Sequence, residues 1–357
     1  MKSAAFRTIT ESPLNGAPAP DALVRDHVTA VGNFFVRNHG ETDQRPETRD
    51  QSVSVTGLVR NPISLSSLVS GLWSRVALQA TLQCAGNRRT ALQQVRPIPG
   101  EVPWPSEAIG NAVWEGVPLS DVLARAGVMD GAAHVWFEGR DVLTGKHDGR
   151  TFGASIPVDK AMSGHVILAD TMNGEPLTPE HGAPVRVVVP GYIGARSVKW
   201  LAAIRVEREP SPNHFQHAYS VYPPSVTAVP DDRSTGRVLG EFPLSCAFGS
   251  VRDGSTVADG RAKFRGWSIA GGERTVARVE VSTDGGATWT AARFLSAPQR
   301  FVWRLWEADV SLTPGAHVLV CRAHDDAGGT QPENPADVWN VKGYVNNSWD
   351  RVRVTAG

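Results

Sequence analysis

The most informative stretch of this 357-residue sequence is Leu82-Gln83-Cys84-Ala85-Gly86-Asn87-Arg88-Arg89. Apolar and polar residues alternate with period two from Val76 to Cys84, which predicts a half-buried strand with Cys84 on its apolar face. Gly86-Asn87 then predicts a turn, so the sulfur is expected at a strand end, where loops can build a site around it.

The residue types in this stretch indicate a redox site for a small anion. A cysteine thiolate is a soft metal ligand, and the adjacent guanidiniums of Arg88 and Arg89 suit an oxyanion. A metal-bound sulfur beside an anion pocket therefore predicts redox chemistry on a small oxyanion. The alternative is that Cys84 is only a small buried apolar residue, as free cysteines often are.

The composition is that of a globular protein with two domains. The chain is too long for one ordinary core, and 41% of its residues are hydrophobic and 20% charged. The formal net charge is zero, so no bulk field recruits nucleic acid or an anionic membrane. No apolar stretch is long enough for a membrane helix. Residues 1–20 do not resemble a secretory signal, which predicts a cytoplasmic location, or a periplasmic one if an export signal was removed.

Cysteine usage limits the cofactors that the chain can bind. Cys84, Cys246 and Cys321 are too few for a disulfide scaffold. There is no Cys-x-x-Cys motif, which argues against structural zinc, an iron–sulfur cluster and covalently attached c-type haem. Electrons that leave this protein are therefore expected to pass to a separate acceptor.

The first two thirds of the chain mix strands with short helices. Residues 118–127 predict an amphipathic helix with Ser120 as N-cap and Gly127 as its stop. Residues 185–189 are mostly β-branched and predict a buried strand. Proline, serine and aspartate become dense between 210 and about 240, which predicts a connector lying over the first domain.

Beyond the connector the pattern is almost entirely that of strands. Residues 278–282 and 317–323 are the clearest examples, and a hairpin-type turn at 284–286 follows the first of them. Strands at this spacing predict a β-sandwich. We therefore predict a first domain over residues 1–228 and a second domain over residues 229–357.

Cys246, Trp267 and Cys321 share the cysteine–tryptophan–cysteine order of immunoglobulin domains. A disulfide between the two cysteines is one interpretation of this order. Two buried free thiols are the favoured interpretation.

Five separated segments resemble the sulfite oxidase family in their order and approximate spacing. They are Phe34–His39, Leu82–Arg89, His181–Arg186, Gly194–Trp200 and Trp339–Gly343. The resemblance runs from residue 34 to residue 352. It implies an α+β protein, in which a mixed α/β molybdopterin-binding oxidoreductase domain precedes an all-β immunoglobulin-like sandwich that forms dimers. It also implies a molybdenum bound by one pterin dithiolene and by the thiolate of Cys84.

The resemblance also implies which residues contact the molybdopterin cofactor. The matching positions are Phe35, Val36, Arg37, Asn38, His39, Asp141, His181, Arg186, Ser197, Val198 and Lys199. Asp141 suits the pterin N–H groups as an acceptor, while Arg186 and Lys199 suit the phosphate. The residues themselves leave an alternative to cofactor binding open at two positions. For Arg186 it is a buried structural ion pair, and for His181 it is a position in a surface turn.

By the same resemblance, the catalytic residues are Cys84, Tyr219, Arg37 and Arg89. Arg37, Arg89 and Trp104 match the family's anion-binding residues, and converging cations can hold a dianion such as sulfite by charge-assisted hydrogen bonds. For Trp104, the alternative is an ordinary packing role.

Tyr219 matches the family's active-site tyrosine and can donate a hydrogen bond to a substrate oxygen. The segment His214–Tyr219 is one residue shorter than its vertebrate-like form. Tyr222, three residues later, is therefore the alternative for this role.

One substrate-binding position departs from the family pattern. Sulfite oxidases usually carry arginine in the segment Trp-Asn-Leu-Arg-Gly, and nitrate-reducing relatives tend to have an uncharged residue, whereas this chain has Lys342. Lysine keeps the charge but lacks the bidentate fork. We expect a sulfite-like anion to bind with lower affinity or altered selectivity, unless Lys342 points elsewhere and another arginine compensates.

The resemblance implies oxygen-atom transfer to sulfite, which gives sulfate, and passage of two electrons to an external acceptor such as a cytochrome or oxygen. The b-type haem domain of vertebrate enzymes has no counterpart, as in the stand-alone molybdenum subunits of plants and bacteria. A homodimer through the second domain is implied, with no nucleic-acid partner and no membrane insertion. The alternatives are oxygen transfer on nitrate or carrier-bound sulfur, and an inactive pterin-binding dimeric interaction protein.

Overall fold

The computed structural model describes residues 2–40, 52–65, 73–144, 147, 149–232 and 235–357. These residues form mainly strands, with a few short helices. The strands are β1 (Phe6–Thr10), β2 (Asn15–Pro18), β3 (Val53–Gly57), β4 (Ile63–Leu65), β5 (Val76–Gln83), β6 (Ile109–Pro118), β7 (His134–Val142), β8 (Thr151–Pro157), β9 (Ile167–Met172), β10 (Glu175–Pro176), β11 (Arg186–Val188), β12 (Leu201–Glu207), β13 (Ser220–Val221), β14 (Arg237–Val238), β15 (Ser245–Phe248), β16 (Ser255–Val257), β17 (Gly260–Ile269), β18 (Val276–Ser282), β19 (Thr290–Ala291), β20 (Arg293–Phe294), β21 (Arg304–Leu312), β22 (Gly315–Asp325) and β23 (Asp350–Ala356). The α-helices are α1 (Pro20–Leu23), α2 (Arg89–Gln93), α3 (Leu119–Ala126), α4 (Val158–Ala161) and α5 (His214–Ala218).

Two five-stranded sheets build the first domain. One has the order β10-β9-β6-β5 with β11 paired to β9, and the other has the order β4-β3-β12-β7-β8. The β12–β3 pair is parallel and the other pairs are antiparallel. One apolar core joins both sheets, with Val117 and Leu168 from the first and Val55, Val135 and Ile204 from the second. The mixed architecture confirms the predicted α+β class.

Strand β5 ends one residue before Cys84, as the alternating pattern predicts. Its first half is largely exposed, but Ala80–Gln83 are buried on both faces. The second domain causes this additional burial, because Trp303 donates its backbone N–H to Thr81 Oγ1 at 3.0 Å and the Thr81 N–H donates to the Phe301 carbonyl at 2.9 Å. The prediction of a half-buried strand was therefore wrong for the half that leads into the site.

The second domain is a β-sandwich, as predicted. Its sheets have the orders β15-β17-β21-β20 and β16-β23-β22-β18-β19, and residues of both sheets form one core. Cys246 and Cys321 are free thiols in this core, with sulfur atoms 3.4 Å apart. This confirms the favoured interpretation of the two cysteines. Burial raises the pKa of the Cys321 thiol well above its ordinary value.

Arg88 joins the turn after Cys84 to the second domain. Its guanidinium is buried, donates to the Ser348 carbonyl at 2.8 Å and pairs with Asp350 at 3.1 Å. Asn346 returns a hydrogen bond to the Arg88 carbonyl at 2.9 Å. The sequence predicts that both adjacent arginines suit an oxyanion. The structure corrects this, since Arg88 holds the two domains together.

Two further local predictions differ from the structure. Helix α3 begins at Leu119, so Ser120 lies inside the first turn and Pro118 occupies the N-cap position. Gly127 ends the helix in the left-handed region with φ 72°, as predicted. The connector from 210 to about 240 contains helix α5 and strand β13. Within the described residues, no helix has the length and apolar character needed to cross a membrane.

Candidate active site

A cavity of about 730 Å³, partly open to solvent, lies in the first domain at the end of β5. Eleven of the sequence-predicted site residues line it: Phe35, Arg37, Asn38, His39, Cys84, Asp141, His181, Arg186, Ser197, Lys199 and Tyr219. Val36 and Val198 are buried and are not among the lining residues. Segments far apart in the chain therefore meet around one space, which we call the main cavity.

Cys84 enters the main cavity from a tightly fixed turn. Its N–H donates to the Ala108 carbonyl at 2.9 Å, and the Gly86 N–H points to its sulfur at 3.4 Å. A Cβ atom at Gly86 would lie 2.5 Å from the guanidinium of Arg89, so a larger residue there would displace that guanidinium. The thiol is therefore held in place by backbone contacts, with its sulfur available to the cavity.

Asp141, at the end of β7, has an unused acceptor. Among the described residues, its buried Oδ1 atom has no hydrogen-bond partner. Burial raises the pKa of Asp141 to about 7, although the nearby Lys199 acts in the opposite direction. A buried polar atom without a partner is costly, so this oxygen is suited to a ligand that brings N–H donors.

Arg186 supplies positive charge to the same cavity, and His181 supplies a buried imidazole ring. Arg186 donates to the carbonyls of His181 and Ser197, each at 3.0 Å, and burial lowers its pKa to about 9. In the part of the chain that the structure describes, Arg186 forms no ion pair, which removes the alternative of a structural ion pair within that part. His181 is buried, so the alternative of a surface turn was wrong.

The charge on His181 depends on its cationic neighbours. Burial and the charges of Lys2, Arg186 and Lys199 lower the pKa of His181 well below its ordinary value. The imidazole is therefore neutral and accepts or donates as a polar group. Lys2 Nζ lies 3.0 Å from His181 Nε2 and donates to the Phe34 carbonyl at 3.0 Å. No sequence signal identified Lys2 as part of this site.

Tyr219 directly follows helix α5. Asn213 caps the N-terminus of this helix, because its side chain accepts a hydrogen bond from the Phe215 N–H. The Tyr219 side chain is buried, and burial raises the pKa of its hydroxyl. Tyr222, the alternative, does not line the main cavity. Tyr219 therefore lines the main cavity together with Cys84, whereas Tyr222 does not.

A second cavity of about 1000 Å³ adjoins the first and shares Arg37, His39 and Tyr219 with it. We call it the outer cavity. Glu101, Lys342 and Tyr344 also line it, and Lys342 Nζ forms an ion pair with Glu101. Lys342 therefore does point toward the site. Glu101 and Tyr344 were missed in the sequence, because a single acidic residue in a loop and a single tyrosine carry no recognisable pattern.

Arg89 and Trp104 lie behind these cavities and line neither of them. Arg89 donates to the Lys342 carbonyl at 3.0 Å and to the Val102 carbonyl at 2.6 Å, and its guanidinium is 3.6 Å from Glu101. Trp104 is fully buried and packs in the cluster that contains Cys84. The packing role considered for Trp104 matches this position, and direct anion binding by either residue stays a prediction.

Comparison with known proteins agrees with this arrangement. Residues 39–215 match the oxidoreductase molybdopterin binding domain family, and residues 237–357 match the Mo-co oxidoreductase dimerisation domain family. The chain is 39% identical to sulfite oxidase of Arabidopsis thaliana, over 97% of this chain and 93% of that protein. It is also 39% identical to mitochondrial sulfite oxidase of Homo sapiens, over 99% of this chain. The chain spans 66% of the length of the human protein.

A solved structure extends the likeness to the fold. The sulfane dehydrogenase SoxCD from Paracoccus pantotrophus aligns with a TM-score of 0.79 at 24% identity, over 98% of this chain and 86% of that one. The fold and the site thus define a molybdopterin-binding oxidoreductase, whose cofactor is molybdenum–molybdopterin. The chain belongs to the sulfite oxidase family.

Proposed function

We propose that this chain oxidises sulfite to sulfate with a molybdenum–molybdopterin cofactor and passes the electrons to an external acceptor. The observation that carries the proposal is the convergence of Cys84, Tyr219 and Arg37 on the main cavity. A soft metal ligand, a hydroxyl donor and a guanidinium are the groups that oxygen transfer to a small oxyanion requires. The names of the relatives support the same substrate.

The residues of the main cavity fit the cofactor. The unpartnered Asp141 oxygen suits N–H groups of the pterin, Arg186 and Lys199 suit its phosphate, and Cys84 supplies a thiolate to the metal. We propose that Phe35, Val36, Arg37, Asn38, His39, His181, Ser197 and Val198 complete the cofactor site. When bound, the cofactor supplies the two-electron oxygen-atom transfer.

The protein contributes anion binding and orientation. We assign Arg37 and Lys342 to direct attraction of the substrate, because both line the outer cavity. Arg89 contributes its charge from behind Lys342 and fixes the Lys342 backbone. Trp104 supports the wall beneath Cys84. Tyr219 donates a hydrogen bond to the substrate oxygen, with His39 as its partner within the protein.

We also propose a domain boundary between residues 228 and 229, with homodimer formation through an immunoglobulin-like second domain. The match of residues 237–357 to a dimerisation domain family supports this. The external acceptor would be a cytochrome or oxygen, consistent with a chain that has no Cys-x-x-Cys motif for a cluster or c-type haem of its own.

The test is sulfite-dependent reduction of ferricyanide by molybdenum-loaded protein. We expect turnover that is lost in Cys84→Ser, because a serine oxygen is a harder donor than a thiolate. Lys342→Arg is the matched variant for selectivity, and we expect it to lower the KM for sulfite, since arginine adds a bidentate fork. Nitrate reduction without sulfite oxidation would overturn the proposal, as would purified protein without molybdenum from a molybdenum-replete host.

A further inference from the structure

Glu101 lies between Lys342, which lines the outer cavity, and Arg89, which lies behind its wall. One carboxylate oxygen pairs with Lys342 Nζ, and the other lies 3.6 Å from the guanidinium of Arg89. Only 12% of the Glu101 side chain surface is exposed. The acid is therefore built into the wall of the cavity, in contrast to a solvated surface ion pair.

The surroundings of Glu101 keep it negatively charged. Burial acts to raise its pKa, but Lys342, Arg89 and Arg37 together hold the pKa below its ordinary value. Among the described residues that line the outer cavity, Glu101 is the only carboxylic acid. Glu101 therefore places a fixed negative charge beside the cations that attract an anion to the outer cavity.

We infer that Glu101 sets the anion selectivity of the site by offsetting part of the charge of Lys342 and Arg89. This inference rests on the proposal that the substrate is a small oxyanion. The attraction between the cavity and an anion grows with the charge of the anion, so one carboxylate weakens binding of a dianion more than binding of a monoanion. Glu101 thereby limits retention of the dianionic product, sulfate, in a cavity that is otherwise strongly cationic.

The experiment compares Glu101→Gln with the wild type by calorimetric titration of molybdenum-loaded protein with sulfate and with nitrate. Neither anion needs to react for its affinity to be measured. We expect sulfate to bind about tenfold more tightly and nitrate about threefold more tightly in the variant, because the change scales with ligand charge. Glu273→Gln, at an exposed pair with Arg300, is the matched control and should leave both affinities unchanged.

A second pair of variants covers the case in which Glu101→Gln does not fold. In that case Lys342→Gln removes the charge of Lys342, which would otherwise be left without Glu101. The double variant Glu101→Gln/Lys342→Gln is then compared with Lys342→Gln alone. Sulfate should bind more tightly to the double variant than to Lys342→Gln alone, because Arg89 is still released from Glu101.

Several results would overturn the inference. They are unchanged or weaker sulfate binding after removal of the Glu101 charge, equal shifts for sulfate and nitrate, or no measurable sulfate binding to any form. Sulfite turnover, measured on the same preparations, separates the two proposals. Turnover with unchanged sulfate affinity rejects only the role of Glu101, whereas tighter sulfate binding without sulfite turnover rejects only the proposed reaction.

Discussion

The Tyr219 hydroxyl lies 2.7 Å from Nε2 of His39, and both side chains border the two cavities. The rings also meet edge to face, with centroids 5.9 Å apart. On its other side, the Tyr219 ring stacks on Tyr344 at 5.2 Å. The tyrosine is therefore fixed in orientation before any ligand binds, so its hydroxyl needs little reorganisation during reaction.

Tyr219→Phe should lower kcat/KM for sulfite by about 10- to 100-fold, the loss expected when one well-placed hydrogen bond is removed. Tyr192→Phe is the matched control, because Tyr192 is partly buried but lines neither cavity. Steady-state kinetics with ferricyanide measures both. Equal losses in the two variants would contradict the assigned role of Tyr219.

Asp141 should make the stability of the cofactor-free protein depend on pH. Its pKa is raised to about 7 in the folded state, against about 3.9 in the unfolded chain. Between these values the folded state holds the additional proton, so the free energy of unfolding falls as pH rises from about 4 to about 7. In Asp141→Asn this loss, of roughly 1–4 kcal/mol, should disappear. Denaturant unfolding at pH 5 and pH 8 measures it.

Glu107→Gln provides the control for that experiment, because burial also raises the pKa of Glu107 to about 7. Both variants should be less sensitive to pH than the wild type. Only Asp141→Asn should also reduce the molybdopterin content of purified protein, since Glu107 does not line the main cavity. Parallel stability curves for Asp141→Asn and wild type would show that Asp141 is ionised in the folded protein already at pH 5.

Arg88→Ala should destabilise the protein by about 3–5 kcal/mol, because it leaves the poorly solvated Asp350 carboxylate without its ion-pair partner, with only the Phe248 N–H still bound to it. Arg353→Ala removes a largely exposed ion pair with Asp253 and should have little effect. Thermal unfolding monitored by tryptophan fluorescence compares the two. A similar, small change in both variants would mean that Arg88 does not hold the domains together.

Cys246 and Cys321 should remain reduced in the folded protein. Alkylation after denaturation without reductant should label three thiols per chain, and reductant should not change the melting temperature. Labelling of only Cys84 would contradict the structure, because it would mean that the two core cysteines are bonded. Mass spectrometry of the alkylated chain distinguishes the two results.

Local sequence patterns predicted the parts of the molecule that local physics determines. The alternation that ends at Cys84, the glycine stop at Gly127 and the strands of the second domain all follow from periodicity and backbone preference. The resemblance placed most of the residues that line the main cavity.

Relationships across long stretches of sequence could not be predicted in this way. Glu101 and Lys342 are 241 positions apart, and no periodicity connects them. Arg88 and Arg89 are neighbours with the same chemistry, yet Arg88 contacts Asp350 and Arg89 contacts Glu101. Adjacent side chains on a turn diverge, and only the packed structure shows which acidic residue each one contacts.

The turn that carries Cys84 is completed by residues near the other end of the chain. Val345 donates its N–H to the Ala85 carbonyl at 2.6 Å, and Asn346 holds the Arg88 carbonyl. A nascent chain that has not yet produced these residues cannot form the finished thiol turn. The finished conformation of the cysteine turn therefore depends on the folded second domain, so a defect in that domain should also distort the position of the Cys84 thiol.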